Sequence, residues 1–471
     1  MDATDLCFVS AVDLVGLVSS KAVSPLEVTR AVLDRIEQLN PQINAFCTPT
    51  PELALEQARQ LEVALMRGEP LGSLGGVPIS VKDLTAVKGV RTAKGSLLYA
   101  DYISDEDSPA VERVKQAGAI VIGKTNTPEF GWKGDSGNRL FGPTANPWDQ
   151  SKTAGGSSGG AAAAVVTGMG PLALGTDGAG SIRIPASFCG AVGLKAQLWR
   201  VPIYPNSANE ALGHLGPITR TVRDSALLLD VIAGPDDRDR LSLPAPQESF
   251  LQACEGDLRG LRVAWSRDLG YAAVDPEVAA ICEAAARRFA SDLGCELEEA
   301  HPGFSDPIES ELLLFYAGVG ANLHGLSPEQ LELLDPEMLR ACQEETQGKS
   351  AIDWALAQMV RQELSLACQR FFQRYDLLLT PSIAVLPFTN GEEGPRELEG
   401  RALRRFGWTP FTYPFNLTGQ PALTIPAGWS ESGLPVGLQI VGRRYDEASV
   451  LRAGAVFEQL QPWQQRYQEL T

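Results

Sequence analysis

Histidine is scarce in this sequence, and its scarcity limits the chemistry that the chain can perform. The 471 residues include three histidines, His214, His301 and His324. The last two lie in a half of the chain that is predicted to be largely helical, and a lone histidine is more often structural than catalytic. Because a Ser-His-Asp triad needs a histidine as its base, the sequence favours a catalytic system built from other side chains.

Paired cysteines, membrane spans and a secretion signal are also missing from the sequence. The eight cysteines are scattered, without a C-x-x-C pair or a cysteine–histidine cluster, which argues against a zinc site and a disulfide framework. No apolar run approaches the roughly 20 residues that cross a bilayer, and the acidic start 1–5 does not resemble a signal peptide. We therefore predict a cytoplasmic protein with reduced thiols, no metal, no cofactor and no membrane partner.

The charge balance is acidic. The chain has 40 basic and 58 acidic residues, a net charge of −18. Such a surface repels phosphate backbones, so nucleic acid is not an expected partner. With 44% apolar residues the chain can bury a large core. The sequence leaves the oligomeric state open, a homodimer included.

No repeat or flexible linker divides the chain, which predicts a single domain over residues 1–471. Within it we distinguish four segments. They are an N-terminal helical segment (1–70), a core carrying the conspicuous motifs (71–235), a largely helical portion that shapes the substrate site (236–400) and a return to the core (401–471).

Helices and strands alternate along much of the chain. Ser24-Pro25 predicts a helix start, and Asn40-Pro41 predicts the end of that helix. The hydrophobic periodicity predicts further helices over about 51–66, 111–116, 159–166, 276–293, 305–375 and 447–460, and strands at 77–81, 119–122, 171–174, 261–265, 377–379, 423–425 and 436–440. This pattern predicts an α/β fold with a mostly parallel or mixed central sheet.

Two motif matches lie in the wrong structural context. Residues 118–125 match the phosphate-binding pattern G-x-x-x-x-G-K-[ST], but the middle residues Ala-Ile-Val-Ile favour a strand where that motif needs a loop. Residues 155–159 match G-x-S-x-G, yet a polar, turn-like stretch precedes them instead of the apolar strand of a nucleophile elbow. We predict neither nucleotide binding nor an α/β-hydrolase site.

Two serines, Ser157 and Ser181, lie 24 residues apart in glycine-rich sequence. The small residues before Ser181 permit a turn whose N–H groups point into one space, as an oxyanion hole requires; an ordinary glycine-rich loop is the alternative. A serine at the end of this turn would lie within reach of the same carbonyl. Asp177 and Arg183 flank the turn at a spacing that suits either an ion pair bracing the loop or two separate solvated charges.

Lys82 stands at the end of a predicted apolar strand, and alternation along that strand places Asp83 on the opposite side. A buried lysine without a carboxylate partner has a lowered pKa and can act as a general base. The alternative is a lysine whose ammonium group extends from the strand end into solvent. Because a hydroxyl both donates and accepts, Ser157 can relay a proton between Lys82 and Ser181.

At these residues the chain resembles the amidase signature family. Residues 155–195 are similar to the defining stretch of that family almost throughout, and shorter blocks resemble the family elsewhere: 76–83, 117–131, 146–148 and 416–422. The resemblance implies an α/β/α layered fold in which a central mixed β-sheet is flanked by helices.

The resemblance also implies an acyl-transfer mechanism. Lys82 would be the base, Ser157, on a cis peptide bond, the proton relay, and Ser181 the nucleophile. The implied oxyanion hole consists of the N–H groups of Gly178, Ala179, Gly180 and Ser181, and the implied loop support consists of Asp177, Arg183 and Ser158. Two departures stand out. Ala179-Gly180 replaces two glycines, which tests the loop geometry because alanine disfavours positive φ, and Ala196-Gln197 replaces Pro-Thr outside the proposed chemistry.

The expected reaction is hydrolysis of a small carboxylic amide to an acid and an amine or ammonia, with aryl or medium-length acyl amides favoured and esters or carbamates as side substrates. The alternative is the glutamine-hydrolysing A subunit of a tRNA-dependent amidotransferase, which needs a partner protein; Ala179 favours a stand-alone amidase. A non-catalytic binding protein is disfavoured because all three catalytic residues are present. Candidate pocket residues near the catalytic blocks, about half of them expected in the core, are Phe130, Trp132, Phe141 and Trp148. The variable segment adds the candidates Leu313, Phe315, Tyr316 and Trp408.

Overall fold

The computed structural model describes residues 2–209 and 211–470. Eleven of its described strands form one large sheet, and two short strands form a separate pair. The described strands, in chain order, are β1 (Phe46–Pro49), β2 (Pro78–Lys82), β3 (Ile120–Thr125), β4 (Leu172–Asp177), β5 (Val192–Lys195), β6 (His214–Thr219), β7 (Arg262–Trp265), β8 (Glu296–Glu299), β9 (Leu377–Pro381), β10 (Glu397–Leu398), β11 (Arg401–Ala402), β12 (Ala422–Trp429) and β13 (Pro435–Val441).

Helices precede, separate and follow these strands. The described helices are α1 (Ala3–Phe8), α2 (Ala11–Ser19), α3 (Pro25–Ile43), α4 (Pro51–Met66), α5 (Pro109–Gln116), α6 (Gly159–Val166), α7 (Arg183–Cys189), α8 (Val222–Ile232), α9 (Phe250–Ala253), α10 (Pro276–Ser291), α11 (Ile308–Ala321), α12 (Pro328–Glu332), α13 (Pro336–Thr346), α14 (Ala351–Phe371), α15 (Tyr413–Thr418) and α16 (Glu447–Leu460). Short 3-10 helices cover Leu97–Tyr99, Glu129–Gly131 and Gln464–Leu470.

The sheet is mixed, with the order β1-β3-β2-β4-β6-β5-β12-β13-β9-β7-β8, and helices flank it as predicted. Strand β2 is parallel to both β3 and β4, and β7 is parallel to both β8 and β9, whereas the central pairings from β4 to β9 are antiparallel. Because β2 and β4 run in the same direction, their carboxyl ends reach the same edge of the sheet. Lys82 ends β2 and Asp177 ends β4 at that edge.

Helix α6 packs against the central sheet. All eight of its residues are buried, and it contacts β2, β4 and α7. Its sequence, GGAAAAVV, presents small side chains all round, so neighbouring backbones approach closely. This packing fixes the position of the preceding turn, which carries Ser157 and Ser158.

Two features of the N-terminal segment differ from the prediction. Helix α3 continues through Pro41 and ends at Ile43, because Asn44 takes the left-handed conformation and donates its N–H to Asn40 O at 2.8 Å. The segment 1–70, predicted to be helical, also contains β1, which pairs antiparallel with β3 at the sheet edge. Four-residue strands carry too little periodicity to be recognised from the sequence alone.

The segment 236–400, predicted to be largely helical with strands at 261–265 and 377–379, contains both strands as β7 and β9 and, in addition, the unpredicted β8. Strands β7, β8 and β9 form the far end of the central sheet beside β13. The helices predicted over 305–375 are present as α11 to α14. The return to the sheet therefore begins at β9, before residue 401.

The phosphate-loop lookalike is a strand, as the sequence predicted. Its last residues lie in β3, where Lys124 is fully buried and its Nζ lies 3.3 Å from Asp83 Oδ1. Lys82 and Asp83 therefore have separate partners on opposite sides of β2, in agreement with strand alternation.

Candidate active site

Lys82 lies at the centre of a buried cluster of hydroxyl groups. Its Nζ is 2.6 Å from Ser157 Oγ, 2.9 Å from Ser158 Oγ and 2.8 Å from Thr176 Oγ1. Burial lowers the pKa of Lys82 well below its usual range, and the negative charge of Asp177 opposes this shift only in part. Its nearest polar neighbours among the described residues are these hydroxyls and not a carboxylate, so a neutral amine is favoured.

Ser181 lies between β4 and α7 and shares a cavity with Ser157. The two serine turns are tied together, because the N–H of Ser158 donates to Ser181 O at 3.1 Å. The peptide bond between Gly156 and Ser157 is cis. Both serines are buried: 7% of the surface of Ser181 and 2% of the surface of Ser157 are exposed. The structure thus brings together the three residues that the sequence singled out.

The Asp177–Arg183 pair is a buried ion pair, which resolves the alternative left open by the sequence. Arg183 donates from Nε to Asp177 Oδ2 and from Nη2 to Asp177 Oδ1, both at 3.0 Å. Burial alone would raise the pKa of Asp177, but the guanidinium of Arg183 holds it below its usual range. Arg183 also donates to Asn416, Thr412 and Gln439, so its donors join the loop to α15 and β13.

The carboxylate of Asp177 shapes the turn that leads to Ser181. It accepts the N–H of Gly180 at 2.8 Å and the N–H of Ile182 at 3.1 Å. The inclusion of Gly180 among the oxyanion-hole donors is therefore wrong for this structure, since its N–H is already occupied. Within the described residues, no acceptor is bonded to the N–H groups of Gly178, Ala179 and Ser181, so three of the four expected donors are free.

Ala179 fits the turn because the strained position is the next one. Gly180 has a φ of +131°, whereas Ala179 is not among the residues with positive φ. A Cβ on Gly180 would lie 2.6 Å from Thr412 Oγ1, the hydroxyl that donates to Ala179 O at 2.7 Å. Glycine is thus required at 180, and alanine at 179 meets no backbone strain.

The cavity at the two serines has a volume of about 190 Å³. Phe130 and Phe315 line it, together with Ile203, Tyr204 and Leu215. Its described lining contains no lysine and no arginine, and its one carboxylate, Asp177, is paired.

Of the eight predicted pocket residues, Phe130 and Phe315 line this cavity. Phe141 does not belong to its described lining, because its ring packs against the guanidinium of Arg91, 5.1 Å away. Trp132 is also absent from that lining and lies in the apolar cluster that contains Leu313, Tyr316 and the cavity-lining Phe315. Of the remaining two, the half-buried Trp148 packs on Trp429, and the buried Trp408 packs on Phe188.

Several residues at the site were not singled out in the sequence for these roles. Thr176 precedes Asp177 and contacts Lys82, and Asn416 donates from Nδ2 to Asp177 Oδ1 at 2.8 Å. Asn416 lies in residues 416–422, which resemble the amidase signature family, and this resemblance could have pointed to its role. The cavity wall from 203 to 209 carries no motif at all.

His214, one of the three histidines of the sequence, borders the cavity with both ring nitrogens engaged. Nδ1 lies 2.8 Å from Leu212 O and 3.2 Å from Asp177 O, and Nε2 lies 3.3 Å from Lys195 Nζ. Burial lowers the pKa of this imidazole well below its usual range, and Lys195 lowers it further. A base needs a free lone pair near the nucleophile, so this geometry gives His214 no direct part in proton transfer.

The described residues hold no group of three or more His, Cys, Asp or Glu side chains arranged for a metal ion. Among the same residues, no helix combines the length and apolarity needed to cross a bilayer.

Comparison with known proteins finds relatives along nearly the whole chain. The family model described as Amidase matches residues 27–451. An acylamidase of Rhodococcus erythropolis is 41% identical over 475 residues, covering 98% of both chains. The A subunit of the glutamyl-tRNA(Gln) amidotransferase of Moorella thermoacetica is 38% identical over 490 residues, covering 99% of both. The crystal structure of a bacterial aryl acylamidase of the amidase signature family superposes with a TM-score of 0.92, at 33% identity and 98% coverage of each chain.

Proposed function

Because the chain belongs to the amidase signature family and is an amide-hydrolysing enzyme, we propose that it cleaves its substrate through an acyl-enzyme on Ser181, with Lys82 as base and Ser157 as proton relay. The observation that carries this proposal is the 2.6 Å contact between Lys82 Nζ and Ser157 Oγ, at a cavity that also holds Ser181.

The hydrogen bonds around Lys82 favour the neutral amine with its lone pair toward Ser157. Ser158 Oγ donates its own proton to Thr176 O at 3.1 Å, so this hydroxyl is left to accept from Lys82. A neutral amine has two N–H donors, and Ser158 Oγ and Thr176 Oγ1 take both. The lone pair then faces the O–H of Ser157, as a general base requires.

In the first half-reaction, Ser181 Oγ attacks the amide carbon while its proton passes to Ser157 Oγ and the proton of Ser157 passes to Lys82 Nζ. The tetrahedral oxyanion is stabilised by the free N–H groups of Gly178, Ala179 and Ser181. The C–N bond then breaks as Lys82 returns its proton through Ser157 to the leaving nitrogen, which departs as an amine or ammonia. Water attacks the ester by the same relay and releases the acid.

A fluorophosphonate probe tests the nucleophile directly. We expect its mass to be added at Ser181, and Ser181→Ala to abolish both labelling and turnover. Ser207→Ala is the matched control, because Ser207 lines the same cavity and should keep both. Full activity in Ser181→Ala would contradict the proposal.

We propose further that the substrate is an uncharged amide, with an acyl or aryl group between Phe130 and Phe315. The described cavity lining lacks a cationic side chain, and a buried carboxylate without a partner is strongly disfavoured. Glutamine carries such a carboxylate, so the cavity favours acylamidase activity over glutamine hydrolysis for an amidotransferase, although a relative of each kind is similar to this chain.

Purified chain without any partner should therefore release aniline from an acyl anilide and leave glutamine intact. Turnover of glutamine alone, or of no amide until a partner protein is added, would instead support the amidotransferase alternative. Aryl esters and carbamates belong in the same panel as side substrates. We also place the enzyme in the cytoplasm, where the eight buried free cysteines would stay reduced.

A further inference from the structure

Lys195 and His214 form a buried pair beside the proposed oxyanion turn. Lys195 ends β5 and His214 begins β6, and these side chains are 0% and 4% exposed. Lys195 Nζ lies 2.5 Å from Gln420 O, 3.3 Å from His214 Nε2 and 3.5 Å from Ala196 O. The catalytic steps proposed above use neither side chain.

The surroundings of the imidazole determine which nitrogen carries the proton. His214 Nδ1 faces two carbonyl oxygens, Leu212 O at 2.8 Å and Asp177 O at 3.2 Å. Carbonyl oxygens only accept, so Nδ1 must be protonated. In the neutral ring Nε2 then has a lone pair, and it accepts a hydrogen bond from Lys195. Lys195 thus holds the ring at Nε2, while the two carbonyl oxygens set its tautomer at Nδ1.

The bond from His214 to Asp177 O acts on the oxyanion turn through one peptide group. Asp177 O and the N–H of Gly178 belong to the same planar peptide and point in opposite directions. Asp177 O is held by His214 Nδ1 and, at 3.2 Å, by Asn416 Nδ2. Fixing that oxygen therefore fixes the direction of the Gly178 N–H, which makes no bond to the described residues.

We propose that Lys195 and His214 are positioning residues. Lys195 holds the imidazole of His214 in place through Nε2, and His214, protonated at Nδ1, orients the peptide between Asp177 and Gly178 so that its N–H faces the substrate carbonyl. This inference rests on the proposed mechanism for the role of the Gly178 N–H, but the tautomer itself does not depend on turnover.

Nitrogen-15 NMR of histidine-labelled enzyme tests the tautomer without any substrate. The imidazole signals that disappear in His214→Asn belong to His214. We expect this ring to be neutral and protonated at Nδ1 in the wild type. In Lys195→Met we expect the same tautomer with a changed Nε2 chemical shift, because Nε2 loses the hydrogen bond that it accepts. His301→Gln is the control, since His301 is partly exposed and contacts Ser266 instead. An imidazolium or an Nε2–H form in the wild type, or an unchanged Nε2 chemical shift in Lys195→Met, would overturn the proposal.

Kinetics of two His214 variants separate positioning from folding. Asparagine places its N–H near the Nδ1 position, and glutamine places it near Nε2. We expect His214→Asn to retain most of kcat, and His214→Gln to lose roughly ten- to a hundredfold with little change in KM, as for a displaced catalytic group. Equal kcat values in the two variants would refute the role of His214, and this comparison stands even if Lys195→Met does not fold.

A double variant tests the coupling. If Lys195 acts by holding the His214 ring at Nε2, Lys195→Met should cost much less kcat in the His214→Asn background than in the wild type. Equal costs in the two backgrounds would show that Lys195 acts independently and would overturn its role. A failure of the acyl-enzyme mechanism would appear separately, as loss of fluorophosphonate labelling at Ser181 with the expected tautomer intact.

Discussion

Replacing Gly180 with alanine perturbs the proposed oxyanion turn at its most restricted position. A φ of +131° is sterically unfavourable for any residue with a Cβ, and such strain costs on the order of 1–3 kcal/mol. The new Cβ would also lie 2.6 Å from Thr412 Oγ1 and 2.8 Å from Thr412 Cβ, so the hydroxyl bond to Ala179 O would be displaced, a loss of about 1 kcal/mol. We expect Gly180→Ala to lower the free energy of unfolding by about 2–4 kcal/mol.

We expect kcat to fall by more than the loss of stability alone would cause, because the displaced backbone lies next to Ser181. A displacement of this kind can reduce kcat by about a hundredfold. Denaturant unfolding and initial rates on an acyl anilide measure the two effects. Ala179→Gly is the matched control, one residue away without positive φ, and should change stability by less than about 1 kcal/mol. A Gly180→Ala enzyme with the unfolding midpoint and kcat of the wild type would refute this account of the turn.

Three further predictions concern charge, protonation and the cavity wall. Asp177→Asn leaves the buried guanidinium of Arg183 without its anion, so the free energy of unfolding should drop by about 3–5 kcal/mol; an unchanged denaturation curve would be inconsistent with the pair. For Lys82, whose pKa burial lowers from 10.5, kcat/KM should reach its plateau well below pH 10.5, and a rate still rising at pH 10.5 would show that the pKa of this base is not lowered. Because the unfolded chain binds a proton that the folded amine lacks, stability should also increase with pH up to 10.5, and Lys82→Met should lose this contribution. Phe130→Leu should raise KM for an acyl anilide severalfold while Phe141→Leu leaves it unchanged, since Phe130 alone of the two lines the cavity; equal effects would be evidence against the aromatic wall.

Local patterns in the sequence predicted most of the regular structure. Helices α6 and α16 have the predicted bounds, 159–166 and 447–460, because small or amphipathic residues repeat without interruption. Pro41 was misleading, since a proline in the last turn of a helix removes one bond without ending the helix. The short strand β1 depends on its pairing with β3, and no local signal encodes that contact.

The site was predictable to the extent that its chemistry requires particular residue types. A lysine and two serines in glycine-rich turns sufficed to indicate the cluster that the structure brings together. The occupied N–H of Gly180 was hidden, because it depends on where the Asp177 carboxylate points. Phe141 was assigned to the pocket from proximity in the chain, whereas its ring direction is set by Arg91, which lies elsewhere in the sequence.

The cavity combines two parts of the chain with different tasks. The lysine and serines come from β2 and from turns next to α6 and α7, all anchored in buried sheet and helix. Much of the wall opposite them comes from residues 203–209 and from Phe315 on α11. Substitutions in that wall can alter the shape offered to an acyl group while the reacting atoms keep their distances. The proposed catalytic residues can therefore be retargeted to new amides by exchanging the wall around them, Phe130 included.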